Sequence, residues 1–188
     1  MVHTFALYVD DKPGVLNRVS SLFRRRAFNI ESLTVGHTET AGISRMTVVV
    51  DTDEYGARRL EAHLHKLVPV RRVENITSAP SIARDLALIK VGATGDSRAQ
   101  VMQLVDVYRA RIIDVGPESL VIETTGTEDK IDSLVEVLRP YGVVEMVRTG
   151  RVAMARGATN GKSSPLRETV PRSATPDSLG SDVSSGSV

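Results

Sequence analysis

The fold is decided by residues 3–23, which read HTFALYVDDKPGVLNRVSSLF. Along residues 3–9 the side chains of Phe5, Leu7 and Val9 share one face, and this period of two predicts a β-strand. From residue 15 the apolar spacing changes to that of an amphipathic helix. The apolar residues of this helix are Val15, Leu16, Val19, Leu22 and Phe23. The segment therefore predicts a strand, a tight turn and a helix.

The same alternation continues after the first helix. Residues 28–37 and 43–51 have the pattern of two strands joined by a turn. A second helical stripe follows on Ala57, Leu60, Leu64 and Leu67, and residues 68–76 read as a strand. The predicted order is βαββαβ.

This order recurs beyond a short predicted linker at residues 79–83, which contains Pro80. Strands are predicted at 86–92, 112–115, 119–125 and 143–148, and helices on Val101, Met102, Val105 and Tyr108 and on Ile131, Leu134, Val135 and Leu138. We therefore predict the α/β (α+β) class, with two tandem ferredoxin-like sandwiches over residues 1–78 and 79–156. Each sandwich should be an antiparallel sheet with its helices on one face.

Residues 157–188 have a different composition. Of these 32 residues, 18 are Gly, Pro, Ser or Thr, and large apolar residues are almost absent. Such a segment cannot bury enough surface to offset its ordering entropy, so we expect a disordered tail.

The overall composition narrows the function classes. The chain has no cysteine, which excludes disulfides, thiolate metal sites and a cysteine nucleophile. Its formal net charge is +1, so no strong field draws it to nucleic acid or membrane. Because we find neither a signal-peptide pattern nor a long apolar run, we expect a cytoplasmic protein without a membrane span.

No catalytic or metal-binding constellation is evident in the sequence. His63 and His65 are two residues apart on a predicted helix and point in different directions, so they cannot chelate one metal. The carboxylates Glu31, Asp51, Asp53 and Asp114 are scattered near strand ends. A small enzyme with a site built from such carboxylates is one hypothesis, although the sequence favours a protein without a catalytic site of its own.

The basic runs at residues 24–26 and 71–72 invite a nucleic-acid interpretation, since the RNA-recognition module shares the βαββαβ order. That module stacks bases on aromatic side chains of its central strands, and residues 43–51 contain no aromatic residue. A solvated helix end, or a face that meets a partner protein, is the favoured interpretation.

The chemistry of the chain is concentrated in the turn at residues 10–16. Pro13 suits a helix start, and Gly14 lets a ligand approach helix amides that are still free. These amides and the positive end of the helix suit a carboxylate, while Asp11 suits an ammonium group. The turn thus has both poles that a free α-amino acid needs. The alternative is a plain tight turn in which Asp11 caps its own helix.

Several motifs resemble a known family. Residues 1–77 resemble an ACT domain, an amino-acid-sensing module, and residues 2–156 resemble the small regulatory subunit of acetohydroxyacid synthase (acetolactate synthase). The residues that carry the resemblance are 11–19 (DKPGVLNRV), 28–35 (FNIESLTV), 44–47 (SRMT), 64–68 (LHKLV) and 112–115 (IIDV). The first motif is general to ACT domains, whereas the second and third are more specific.

The resemblance implies a homodimer joined through its ACT domains, with a feedback amino acid, typically valine, in the interface. It implies that Asp11, Gly14 and Val15 of one chain and Asn29 and Ile30 of the other hold this ligand. Some members of the family have Asn where this chain has Asp11, and the anionic side chain could change affinity or the preference among valine, leucine and isoleucine.

The resemblance also implies a division of labour in branched-chain amino-acid biosynthesis. The chain would activate a large catalytic subunit and confer feedback inhibition on it. Thiamine diphosphate, Mg²⁺ and flavin (FAD) would belong to that large subunit, and this chain would hold no cofactor. A different ACT-type regulator, acting on transcription or on another enzyme, is the alternative, although no helix-turn-helix is visible.

Overall fold

A computed structural model describes residues 1–157 of the chain. The predicted disordered tail therefore lies outside the described residues, apart from Gly157. The first unit consists of β1 (Val2–Asp10), α1 (Val15–Arg25), β2 (Ile30–His37), β3 (Ile43–Asp51), α2 (Glu54–Leu64) and β4 (Val70–Asn75). The second consists of β5 (Ser81–Gly92), α3 (Asp96–Val107), β6 (Arg111–Val115), β7 (Ser119–Gly126), α4 (Glu128–Leu138), a 3₁₀ turn (Arg139–Tyr141), β8 (Val143–Arg148) and β9 (Val152–Ala155).

The first sheet has the strand order β2-β3-β1-β4, and every neighbouring pair is antiparallel. Alternate residues of the strands face the two helices, because side chains in a strand point to opposite faces. The core between sheet and helices contains Phe5, Leu7, Val9, Val19, Phe23, Met46, Val48, Leu60 and Leu64. Burial of this apolar face holds α1 against the sheet, with the β1–α1 turn at one end of the sheet.

The second sheet repeats the topology, with the order β6-β7-β5-β8 and antiparallel pairing throughout. Its core contains Ala87, Ile89, Val91, Val101, Val105, Leu120, Ile122, Ile131, Leu134 and Leu138. The two units have the same βαββαβ sequence of elements and the same strand order in their sheets, which confirms the predicted fold class. None of the helices in residues 1–157 is long and apolar enough to cross a membrane.

The junction between the units differs from the prediction. Residues 79–83 were expected to be a linker, but β5 begins at Ser81 and its first four residues pair with β9. Strand β9 itself was not predicted. Pro80 comes directly before the strand, where its missing N–H removes no ladder hydrogen bond. A connection of five residues, 76–80, therefore joins β4 to β5.

Strands β5 and β9 also lie against the helix-free face of the first sheet. Ala153 packs with Ala6 and Ile76 of the first unit. The Arg45 guanidinium donates to Ala153 O at 2.6 Å, and Thr34 Oγ1 donates to Arg151 O at 2.9 Å. The two units are thus in direct contact through apolar and hydrogen-bonded groups.

Candidate functional site

Helix α1 starts at a backbone conformation that glycine favours. Gly14 is its N-cap residue with φ 82°, in the left-handed region, and no side chain caps the helix. The Val15 amide has only a long contact, 3.4 Å, with Lys12 O. Among residues 1–157, the amides of Leu16 and Asn17 have no hydrogen-bond acceptor. Free amides and the positive end of the helix dipole together form a place for an anion.

The side chain of Asp11 is close to this helix start and does not cap it. Its Oδ2 atom is 3.4 Å from Nδ1 of His37, at the end of β2, and its side chain is 46% exposed. The Asp11 amide donates to Gly42 O at 2.9 Å, which ties the turn to the β2–β3 hairpin. The alternative in which Asp11 caps α1 is wrong, because Gly14 is the N-cap residue and no side chain caps the helix. The Asp11 carboxylate is partly exposed in the same turn.

The neighbouring Asp10 has a structural role that the sequence analysis missed. Its carboxylate is buried and accepts a hydrogen bond from Nε of Arg71, and the Lys12 ammonium is 3.6 Å away. The Asp10 amide donates to Pro69 O at 2.9 Å. These contacts fix the end of β1, so the turn that carries Asp11 and Gly14 starts from an anchored residue.

Asn29 and Ile30 lie at the other end of the sheet. Ile30 is paired with Val50, whereas His37 is paired with Ser44, next to the β1–α1 turn. Ile30 and His37 are seven positions apart along the strand, which corresponds to roughly 23 Å. Asn29 Nδ2 donates to Oε1 of Glu31 at 2.6 Å. Within one chain, Asp11, Gly14 and Val15 lie at the β1–α1 turn, whereas Asn29 and Ile30 lie far from it.

A cleft of about 630 Å³ lies between the two units, and its arginine side chains are paired with carboxylates of the same chain. Nε of Arg148 donates to Asp85 at 2.9 Å, and its Nη1 donates to Asp132 at 2.9 Å. Burial by itself lowers the pKa of Arg148, but the hydrogen bonds and charges of these carboxylates outweigh it and the pKa is raised. Arg151 donates to Glu128 at 2.9 Å. Because these cations already have carboxylate partners, the cleft is a weaker ligand candidate than the α1 turn.

Asp51 and Asp53, two of the carboxylates considered for an enzyme, are engaged in structural contacts. Asp53 caps α2 by accepting a hydrogen bond from the Gly56 amide at 2.6 Å. Asp51 is 2.6 Å from the N-terminal ammonium, whose hydrogen bond and charge lower the pKa of this carboxyl. In residues 1–157, no group of three His, Asp or Glu side chains is placed to hold a metal ion. The geometry gives no support to a site assembled from these carboxylates.

Comparison with known proteins identifies the family. Residues 5–72 match the AHAS small subunit-like ACT domain, and residues 84–157 match the family described as small subunit of acetolactate synthase. A probable acetolactate synthase small subunit from Archaeoglobus fulgidus is 48% identical over 157 residues, which cover 84% of this chain and 98% of the relative. The chain belongs to the small subunits of acetolactate synthase.

Other acetolactate synthase small subunits are similarly related. The protein from Mycolicibacterium smegmatis is 46% identical over 155 residues, covering 82% of this chain and 91% of the relative. The crystal structure of the small subunit from Thermotoga maritima is 40% identical and superposes with a TM-score of 0.79, covering 84% of this chain and 98% of that one. The resemblance inferred from the motifs and the predicted fold are both confirmed.

Proposed function

We propose that this chain is the regulatory subunit that senses branched-chain amino acids for its acetolactate synthase. In this proposal it binds valine, or the related leucine or isoleucine, at the start of α1. It works in the cytoplasm as a homodimer, raises the activity of the large catalytic subunit and makes that subunit sensitive to feedback inhibition. The observation that carries the proposal is the uncapped start of α1, with Gly14 at φ 82° and the partly exposed Asp11 carboxylate in the same turn.

The polar groups of the turn match the two charges of an amino acid. The ligand carboxylate would accept hydrogen bonds from the amides that follow Gly14, chiefly those of Leu16 and Asn17, because the Val15 amide is partly engaged. The ammonium group would pair with Asp11, as opposite charges in a partly desolvated site attract strongly. Leu16 is 45% exposed and offers apolar surface for a branched side chain.

The position of Asn29 and Ile30 supports a site shared by two chains. Strand β2 is an edge of the first sheet, so its outer backbone groups can pair with another strand. If two β2 strands pair antiparallel about a two-fold axis, the Ile30 end of one chain meets the His37 end of the other. Asp11 lies beside that His37. All five proposed ligand residues then converge only in the dimer.

The catalytic chemistry in this proposal belongs to the large subunit. Thiamine diphosphate would supply the carbanion chemistry there, together with Mg²⁺ and FAD, and none of the residues described in this chain is assigned to hold them. The role of the small subunit is then binding, assembly and control.

Isothermal titration with valine, leucine and isoleucine tests the effector site. Gly14→Asp should abolish binding, because its carboxylate would stand in front of the free amides and repel the ligand carboxylate. Gly95→Asp is the matched control: Gly95 is the N-cap of α3, has positive φ, and has open space where a Cβ would lie, as Gly14 does. Saturable binding that Gly14→Asp loses and Gly95→Asp keeps supports the site. If the wild-type dimer binds none of the three amino acids, branched-chain sensing is wrong.

A further inference from the structure

The helical side of the first unit carries a concentrated group of positive charges. Arg18, Arg24 and Arg25 lie on α1, Arg26 is its C-cap residue, and Lys66 follows α2. All five side chains are exposed. We call these five residues the basic helix face.

This group differs from the other cations of the first unit. Within residues 1–157, the charged ends of Arg18, Arg24, Arg26 and Lys66 have no carboxylate or other hydrogen-bond partner, and Arg25 donates only to the carbonyl of Ser21 on its own helix. The remaining cations are held by a carboxylate, a carbonyl or an aromatic ring: Lys12, Arg45, Arg58, Arg59, Arg71 and Arg72. The unneutralised charge is therefore confined to one surface.

Helix stability explains only part of this arrangement. Arg24 and Arg25 are in the last turn of α1, where cations interact favourably with the helix dipole. Lys66 follows the C-cap of α2, where a cation is favoured in the same way. Arg18 is the fourth residue of α1, near the N-terminus, where the dipole does not favour a cation. The helix dipoles therefore leave Arg18, and the meeting of both helix ends on one surface, unexplained.

The basic helix face is shaped for a protein partner. Two adjoining grooves of about 310 and 480 Å³ run along it, and both are lined by Arg25 and Lys66. Leu67 lines both grooves, and Val68, which is 79% exposed, lines the second. Apolar side chains between cations are typical of a protein interface. Among the residues that the structure describes, no Phe, Tyr or Trp lines the grooves, and the imidazole of His63 is the one aromatic ring on which a base could stack, so they disfavour a stacking platform.

Helix α1 connects this surface to both halves of the proposed effector site. Its N-terminus follows Gly14, and its C-terminus leads through Arg26 to Asn29 and Ile30. In the proposed dimer, each ligand contacts the N-terminal end of α1 in one chain and the residues that follow the C-terminal end of α1 in the other. Ligand binding would therefore affect the position of the helix that carries Arg18 and Arg24. A partner docked on this helix is therefore well placed to respond to the effector.

The chain itself offers no clear occupant for the surface. Residues 158–188 contain three Lys or Arg and three Asp or Glu, so the tail sequence is not an acidic complement. The grooves of this surface are lined by residues of α1, of the end of α2 and of the segment after α2, and none of the described residues of β2 lines them. A separate acidic protein fits the charge better than either.

We propose that the basic helix face docks a carboxylate-rich surface of the large catalytic subunit. This inference rests on the proposed function, because it names the surface through which that function reaches its partner. Salt should weaken the contact, since exposed ion pairs are screened by ions.

The test uses the full-length chain and the large subunit from the same organism. The triple variant Arg24→Glu/Arg25→Glu/Lys66→Glu reverses three charges that line the grooves, and its dissociation constant should rise roughly a hundred-fold at low salt, with a smaller change at high salt. The variant Arg24→Gln/Arg25→Gln/Lys66→Gln removes the charges without reversing them and should give an intermediate loss. Valine titration of each variant, with its circular dichroism spectrum, checks that the first unit is folded.

The matched control is Lys90→Glu/Arg111→Glu/Arg139→Glu, which makes the same change in net charge on exposed residues of the second unit. It should keep near wild-type affinity for the large subunit. If both charge reversals weaken binding equally, or if the first leaves it intact while the wild type binds, the docking surface is wrong. A change in the dimer equilibrium of the small subunit alone would instead make this face a contact between two copies and overturn the proposal. If the wild type fails to bind the large subunit at all, the proposed function fails before this inference is reached.

Discussion

The two halves of the proposed effector site can be separated genetically in a mixed dimer. Residues of the β1–α1 turn and the Asn29 segment are at opposite ends of β2, roughly 23 Å apart along the strand. One amino acid cannot span that distance, so a site that uses both must draw them from two chains. We therefore predict that Gly14→Asp and Asn29→Ala complement each other when they lie in different chains.

The expected stoichiometry follows from two-fold symmetry. In a dimer with Gly14→Asp in one chain and Asn29→Ala in the other, one site receives both substitutions and one receives neither, so about half of the wild-type sites remain. If one chain carries both substitutions and its partner is wild-type, each site is damaged once and high-affinity binding is lost. Loss of one hydrogen bond to a charged ligand group should weaken a site about ten-fold or more.

The assay is titration of valine into dimers purified through two different affinity tags. Both homodimers serve as controls and should bind weakly. The opposite pattern, with binding in the doubly substituted heterodimer and none in the complementing one, would show that each chain holds a complete site. That result would refute the shared-site geometry.

Three further predictions concern the stability of the fold. Gly14→Ala should lower the free energy of unfolding by about 1 kcal/mol in urea titration, because alanine is strained at φ 82° although its Cβ meets no atom within 4 Å. Gly150→Ala should lower the free energy of unfolding by roughly 1–3 kcal/mol, because its Cβ would clash with Oγ of Ser32 and push the units apart; hydrogen exchange should then quicken in β9. Acetylation of the Met1 amino group should raise the pKa of Asp51 towards its ordinary value, as followed by NMR titration. Because a lowered folded-state pKa stabilises the protein above the ordinary pKa and that contribution is lost as pH falls, the acetylated protein should depend less on pH in the acid range.

Each of these has a result that would count against it. An unchanged midpoint for Gly14→Ala would mean that the turn relaxes out of the left-handed region. An unaffected exchange rate in Gly150→Ala would mean that the contact with Ser32 is not maintained in solution. If the pKa of Asp51 is unchanged after acetylation, the N-terminal ammonium does not stay beside this carboxylate in solution.

Most of the fold could be predicted from periodicity. Strand β1 and helix α1 follow from a change of apolar spacing at residues 9–15, and the repeat of that pattern gives the second unit. Strand β9 could not be found this way, because four residues carry too little pattern and its partner lies about 70 positions earlier in the chain. Pro80 suggested a linker, yet the strand begins at the next residue.

Only part of the candidate site could be predicted from the sequence. The turn at residues 10–16 could be recognised from Pro13 and Gly14, since both have fixed backbone preferences. The sequence could not show which of two adjacent aspartates is buried, because that depends on Arg71, about 60 residues away. It also could not show that the Val15 amide is partly engaged while the next two are free. Asn29 and Ile30 were assigned by resemblance alone, and their role stays a prediction.

The most direct test of the central claim is the rate of acetolactate formation by the large subunit, measured without the chain, with it, and with both the chain and valine. We predict that the wild-type chain raises the rate and that valine then lowers it. With Gly14→Asp, the rate should still rise but valine should no longer lower it. A large subunit whose rate is unaffected by the chain, or whose valine inhibition is the same with and without it, would contradict the proposed regulatory role.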